Sequence, residues 1–249
     1  MKKYLLLLFV AAICLYSCKP SSTETQVIKE AIKVTLQEFM SEDSSVLHQF
    51  DEEIAAYKAM DRDSMPPEGA WLFVGSSSFR LWPDMAKDLA PNPVINRGFG
   101  GSNMVQLVHY MDSLVYPYKP SHIFIYEGDN DIVSEETSPE DVRKAVMYFV
   151  QEVQERMPDV PLHFVAVKPS PSRKQLLGKA KETNALIKGE AENTEGFYFI
   201  DIASPMMVTE DSIRQDIFIF DNLHMNQDGY DIWSEVILGH MEKVGSVSN

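Results

Sequence analysis

The chain has 249 residues and a formal net charge of −15, with 22 Lys and Arg against 37 Asp and Glu. So acidic a surface repels nucleic acid and other polyanions, and a neutral substrate fits it better. Its two cysteines, Cys14 and Cys18, both lie near the N-terminus, so the body of the protein has no disulfide and no Cys cluster for zinc or redox chemistry.

Lys2 and Lys3 precede an apolar run, Tyr4–Tyr16, followed by Ser17 and Cys18. About 13 apolar residues are too few to span a bilayer, which takes about 20, but they fit the apolar centre of a secretory signal. Leu15-Tyr-Ser-Cys18 resembles the lipobox of bacterial lipoproteins, although Tyr16 is bulky for its position. That resemblance implies a signal over residues 1–17, an acylated Cys18, export, and a lipid anchor in a bacterial membrane. An uncleaved anchor or a plain secretory signal is the alternative. Removing the leader takes the formal charge to about −17.

Residues 18–43 read as a polar tether and an N-terminal helical segment, and the main domain as 44–249. Leu47, Phe50, Ile54 and Tyr57 are spaced for one helix face, and Pro66-Pro67 closes that region. Strand-like runs then alternate with amphipathic segments. The strands are expected at Trp71–Val74, Pro93–Asn96, His122–Tyr126, Leu162–Val167 and Phe197–Ile202. Met104, Leu107, Met111 and Leu114 form one helical stripe. Val142, Ala145, Phe149 and Val153 form another, opened by Ser138 as N-cap and Pro139 as first helical residue. Leu176–Ile187 and Tyr230–Met241 supply the last two. The alternation argues for one α/β domain, a flavodoxin-like three-layer α/β/α sandwich around a five-stranded parallel sheet.

In such a sheet, ligands bind beyond the carboxyl ends of the strands. Four polar clusters fall there: Gly75-Ser-Ser-Ser78, Asn96-Arg-Gly-Phe-Gly-Gly-Ser-Asn103, Glu127-Gly-Asp-Asn-Asp131 and Lys168-Pro-Ser-Pro-Ser172. A serine on a strand-to-helix turn is exposed beside free N–H groups, which suits a nucleophile or a phosphate cradle. Acyl transfer by serine needs a hydroxyl, a base and oxyanion donors. Ser77 offers the hydroxyl, His224 the base, and Asp221, three residues earlier, a carboxylate to orient it. The Gly98–Gly101 loop, the Asn130 amide and the Ser77 N–H are the candidate donors.

These blocks resemble the SGNH (GDSL-type) hydrolase family over roughly residues 44–243. Val74-Gly-Ser-Ser-Ser78, Asn96-Arg-Gly-Phe-Gly-Gly101, Gly128-Asp-Asn-Asp131 and Asp221-Asn-Leu-His224 look like its four blocks, in family order. The resemblance implies a serine esterase or acylhydrolase with Ser77 as nucleophile, His224 and Asp221 completing the triad, and Ser77, Gly101 and Asn130 as the oxyanion hole. It implies no metal and no cofactor. Ser76 stands where the family usually has aspartate, leaving three adjacent serines, so Ser76 and Ser78 are the alternative nucleophiles. The expected substrate is a small or glycan-linked ester with a short acyl group. The rivals are a flavodoxin-like phosphate binder and a non-catalytic glycan-binding protein. Phe79, Trp82 and Phe99 are candidate walls of an acyl pocket, with core packing the expected role for Trp82. Asp129 and Asp131 read as loop solubilisers or, less well, as calcium ligands. The Lys168–Arg173 loop reads as a substrate lining or a rigid turn. His48, His109, His122, His163 and His240 fall inside expected helices or strands, where packing or surface roles outweigh catalysis.

Overall fold

The computed structural model describes residues 44–245. The expectations for the leader, Cys18, and the tether and helical segment of residues 18–43 lie outside these residues. Five strands, β1 (Trp71–Gly75), β2 (Val94–Gly98), β3 (His122–Tyr126), β4 (Leu162–Val165) and β5 (Phe197–Ile200), form an all-parallel sheet in the order β2-β1-β3-β4-β5. This is the expected three-layer fold. Every residue of β1 is buried, as a central strand covered on both faces must be.

Alternate residues of each strand feed two cores. Leu72, Val74, Ile123, Ile125 and Phe164 face one layer, built from α1 (Asp51–Asp63), α4 (Met104–His109), α5 (Met111–Leu114), α6 (Pro139–Arg156) and α7 (Leu177–Ala191). Trp71, Phe73, Phe124 and Tyr126 face the other, built around α2 (Ser77–Arg80), α3 (Met85–Asp88) and α8 (Gln227–Gly245). Ser138 caps α6 as expected. Its hydroxyl accepts from Asp141 N and the Asp141 carboxylate accepts in return from Ser138 N, with Pro139 in the first turn. No helix among the described residues is long and apolar enough to cross a membrane.

Strands β2 and β5 shift at their ends, to Val94–Gly98 and Phe197–Ile200, and three further expected boundaries move for a local reason. The Met104–Leu114 stripe is two helices, because Tyr110 (φ −94, ψ 8) breaks it and sends its hydroxyl to the Leu47 carbonyl at 2.7 Å. The Leu47–Tyr57 stripe is likewise interrupted at Phe50 (φ −108, ψ 10), whose ring packs edge-on to Phe99. Strand β4 ends at Val165 rather than Val167. Beyond it the Asn184 amide of α7 takes both polar groups of Val167, at 2.8 and 2.9 Å, and replaces a neighbouring strand. A small antiparallel pair, β6 (Met207–Thr209) and β7 (Ser212–Ile213), leads into the loop that carries Asp221; its strands of three and two residues are too short to read as strands in the sequence.

Register sets the functional rim. Gly75 at the end of β1 pairs with Gly98 on one side and Tyr126 on the other, so the loops leaving β1, β2 and β3 start level. The strand order reverses between β1 and β3, which is where an open α/β sheet offers its crevice. Gly75 has φ +135, and a Cβ there would lie 2.1 Å from the Tyr126 carbonyl oxygen. No other residue fits immediately before the serines.

Candidate active site

Ser76 stays extended (φ −81, ψ −169), and Ser77 opens α2, where a backbone N–H has no acceptor inside the helix. Ser76 and Ser78 are buried, each about 1 % exposed, whereas Ser77 is half-buried. Of the three serines, Ser77 is the one that meets His224, with Oγ 2.9 Å from Nε2.

His224 sits on the far arm of a tight turn. Ile219 N donates to the His224 carbonyl and Asn222 N to the Ile219 carbonyl, both at 2.9 Å, while Asn222 takes the left-handed conformation at φ +56. Inside this turn His224 Nδ1 lies 2.6 Å from Asp221 Oδ2. Asp221 Oδ1 accepts from the backbone N–H groups of Leu223 and His224, each at 2.9 Å. Partial burial by itself would push the Asp221 carboxyl up. The hydrogen bonds from the His224 ring and from the two N–H groups outweigh it and hold the carboxyl at about 2. An ionised Asp221 can only accept, so Nδ1 carries the proton and the Nε2 lone pair faces Ser77. The Tyr230 hydroxyl of α8 donates to the Ser78 carbonyl at 3.0 Å and ties the two halves together.

Gly101 (φ +86) is exposed in the loop after β2, with open space where a Cβ would be. The next residue, Ser102, receives the Asn130 amide: Nδ2 donates to the Ser102 carbonyl and to Ser76 Oγ, both at 2.8 Å. Both amide hydrogens therefore have acceptors in this state. One acceptor is a hydroxyl rotor, which a stronger acceptor can displace. Ser76, the departure from the family pattern, thus contacts the candidate oxyanion amide.

Several neighbours lie in other environments than their sequence suggests. Asp129 and Asp131 are 5 % and 8 % exposed and are not loop solubilisers. Asp131 accepts from Met104 N and Gly128 N, each at 3.0 Å, and burial pushes its carboxyl up to about 6. Asp129 pairs with Lys168 Nζ at 2.7 Å and Arg173 Nη1 at 2.6 Å. Burial opposes its ionisation, but the two cations hold it below its ordinary value. The Lys168–Arg173 loop thus turns its cations inward, onto the β3 loop. Two basic residues in a proline-rich loop on the same rim as the aspartates were the available signal. Phe79 and Phe99 are fully buried and pack in the cores rather than walling a pocket, while Trp82, 2 % exposed, packs in the core as expected. Trp82 stacks on Tyr230 with centroids 5.1 Å apart. Among the described residues no group of three or more acidic, His or Cys side chains is gathered as for a metal ion.

The family profile described as GDSL-like Lipase/Acylhydrolase matches residues 67–232, two-thirds of the chain and all of the rim loops. The chain belongs to this family. It is a hydrolase that acts on ester bonds. The GDSL-like fold is shared with a GDSL-like lipase from Bacteroides thetaiotaomicron, 19 % identical, at a TM-score of 0.65 over 77 % of this chain and 98 % of that one. It is shared with a lipase/acylhydrolase from Enterococcus faecalis, 18 % identical, at 0.55 over 70 % and 96 %. A catalytic mutant of an acetylxylan esterase from Geobacillus stearothermophilus, 15 % identical, superposes at 0.56 over 70 % and 95 %. No curated protein matches the chain.

Proposed function

We propose that this GDSL-like hydrolase is a serine esterase that removes short acyl groups, acetyl foremost, from small or glycan-linked esters. The carrying observation is the polarised line Asp221–His224–Ser77, with steps of 2.6 and 2.9 Å. In this reading Ser77 Oγ attacks the ester carbonyl as His224 Nε2 takes its proton. The tetrahedral oxyanion is received by the N–H groups of Ser77 and Gly101 and by Asn130 Nδ2. His224 then protonates the departing alkoxide, and the C–O bond breaks to leave an acyl-Ser77. Water attacks the acyl carbon, giving its proton to His224, and the acid leaves as Ser77 recovers that proton. Besides the ester and water, each step uses only groups of this chain.

The line also favours hydrolysis over a phosphate cradle or a non-catalytic binder, neither of which gives a use to a carboxylate-backed imidazole aimed at a hydroxyl. The acetyl preference draws support from the acetylxylan esterase among the structural relatives. Export and anchoring through Cys18 rest on Lys2, Lys3, the Tyr4–Tyr16 run and the Leu15–Cys18 motif.

Ser77→Ala tests the reading. It should lower turnover of p-nitrophenyl acetate by up to about 10⁶-fold, with the melting temperature little changed, as losing the nucleophile does in other triads. Turnover that survives the substitution sinks the proposal. A screen of acetylated sugars against longer acyl chains then reads the acyl preference.

A further inference from the structure

The Asn130 amide serves an oxyanion only when Nδ2, not Oδ1, faces the reacting carbonyl. The two ends of an amide are nearly the same size, so packing cannot choose between them; hydrogen-bond partners must. On one side lies the Ser102 carbonyl, which can only accept. On the other, Arg173 Nη2 donates to Asn130 Oδ1 at 2.9 Å, and a guanidinium can only donate. A flipped amide would set oxygen against oxygen and N–H against N–H.

Arg173 is itself fixed. Its Nη1 donates to the Asp129 carbonyl and lies against Asp129 Oδ1, both at 2.6 Å, and Lys168 holds the other carboxylate oxygen. Lys168 and Asp129 are almost wholly buried and the Arg173 side chain is 19 % exposed, so little water screens these contacts. One residue earlier, Ser172 N donates to the Asn222 carbonyl at 3.0 Å, inside the turn that presents Asp221 and His224. The loop after β4 therefore braces the oxyanion amide and the acid–base turn together.

We propose that Arg173 is a positioning residue for the oxyanion hole. Its guanidinium locks the Asn130 amide in the productive orientation and, by drawing charge towards Oδ1, strengthens Nδ2–H as a donor. The inference rests on the serine-esterase reading above and carries it to a residue outside the family blocks.

Arg173→Lys is the informative variant. A lysine keeps a positive charge beside Asp129, but its single ammonium lacks the planar fork that spans Asp129 and Asn130 together. With p-nitrophenyl acetate, kcat should fall at least about tenfold at little-changed KM, a share of the roughly 10²–10³-fold worth of one oxyanion donor. In an Asn130→Ala background the same substitution should cost almost nothing more, since the group it orients is gone. A rise in KM at constant kcat, or losses that multiply in the double variant, overturns the proposal. If Arg173→Lys shows no melting transition, Arg173→Ala assayed with millimolar guanidinium ion reads the same quantity: recovered kcat supports the role and none refutes it. A Ser77-dependent esterase indifferent to Arg173→Lys defeats this inference alone, whereas an active Ser77→Ala defeats the reading beneath it.

Discussion

His224 and His163 are each held by a hydrogen bond to either ring nitrogen, yet only one of them sits in a polarised chain. His224 lies between a carboxylate at 2.6 Å and a hydroxyl at 2.9 Å, on the rim. His163 lies between two other imidazoles, with Nε2 3.0 Å from His122 Nδ1 and Nδ1 3.0 Å from His240 Nε2. It is fully buried on β4, stacked between Phe124 and Tyr198 and covered by α8. The acid in the first chain fixes which nitrogen carries the proton and, in the mechanism proposed above, would stabilise the imidazolium formed in turnover. No carboxylate joins the two bonds of the second, and burial, reinforced by the neighbouring rings, drives His163 well below its ordinary value. Two similarly hydrogen-bonded imidazoles thus differ: the carboxylate-backed one on the rim is the proposed base, and the fully buried one flanked by rings is a neutral strut. What stands at the end of the chain decides.

Asp221→Asn attacks that difference directly and carries the larger effect of the two tests. The two backbone N–H groups that now bond Asp221 Oδ1 should keep the amide oxygen there, so the amide nitrogen faces His224 Nδ1. His224 must then accept at Nδ1 and carry its proton on Nε2, pointing at Ser77 instead of drawing from it. The geometry survives and the tautomer is wrong, a change that costs up to about 10⁴-fold in kcat in other triads. The measurement is kcat with p-nitrophenyl acetate beside the melting curve. A loss below about tenfold in a folded protein would mean that the carboxylate is not what separates His224 from His163.

The sequence carried the fold because parallel strands covered on both faces are short apolar runs, and all five runs are strands. Ser77, Asp221 and His224 were legible because each lies in a short block beside a strand end or turn. Histidine type alone told little, since nothing near His122, His163 or His240 in the chain says that they meet across β3, β4 and α8. Charge was misread for the same reason. Asp129 reads as a loop solubiliser in the sequence, but its partners Lys168 and Arg173 lie beyond another strand. Arg97, on the edge strand β2, is 6 % exposed, pairs with Asp61 and bonds Tyr118 at 2.6 Å. Long-range ion pairs leave no periodicity, so a buried charge reads as an exposed one until the topology is known.

The second half of the comparison is tested by His163→Phe, whose effects are smaller. Phenylalanine keeps the stack on Phe124 and Tyr198 and removes both hydrogen bonds. At pH 8 this should cost about 1–3 kcal/mol, since His122 and His240 are part-exposed and water can replace the lost partner. The dependence on acid should change as well. Burial lowers His122 and His163 and takes His240 to about 4, whereas an unfolded histidine titrates near 6.5. Between those values the unfolded chain binds more protons than the folded one. The stability these histidines contribute is therefore complete above about 6.5 and is lost as pH falls towards about 4. Removing His163 removes one site from that linkage, so the acid limb should flatten by up to about 1.4 kcal/mol per pH unit. Chemical denaturation from pH 8 to 4.5, with kcat measured at neutral pH, checks both points. His122 opens β3 and His163 lies in the first half of β4, at the end of the sheet away from the serine, so kcat should not move. An unchanged acid limb would place the acid sensitivity elsewhere. A fall in kcat would show that the two histidine chains are coupled through the sheet and that the neutral one is more than a strut.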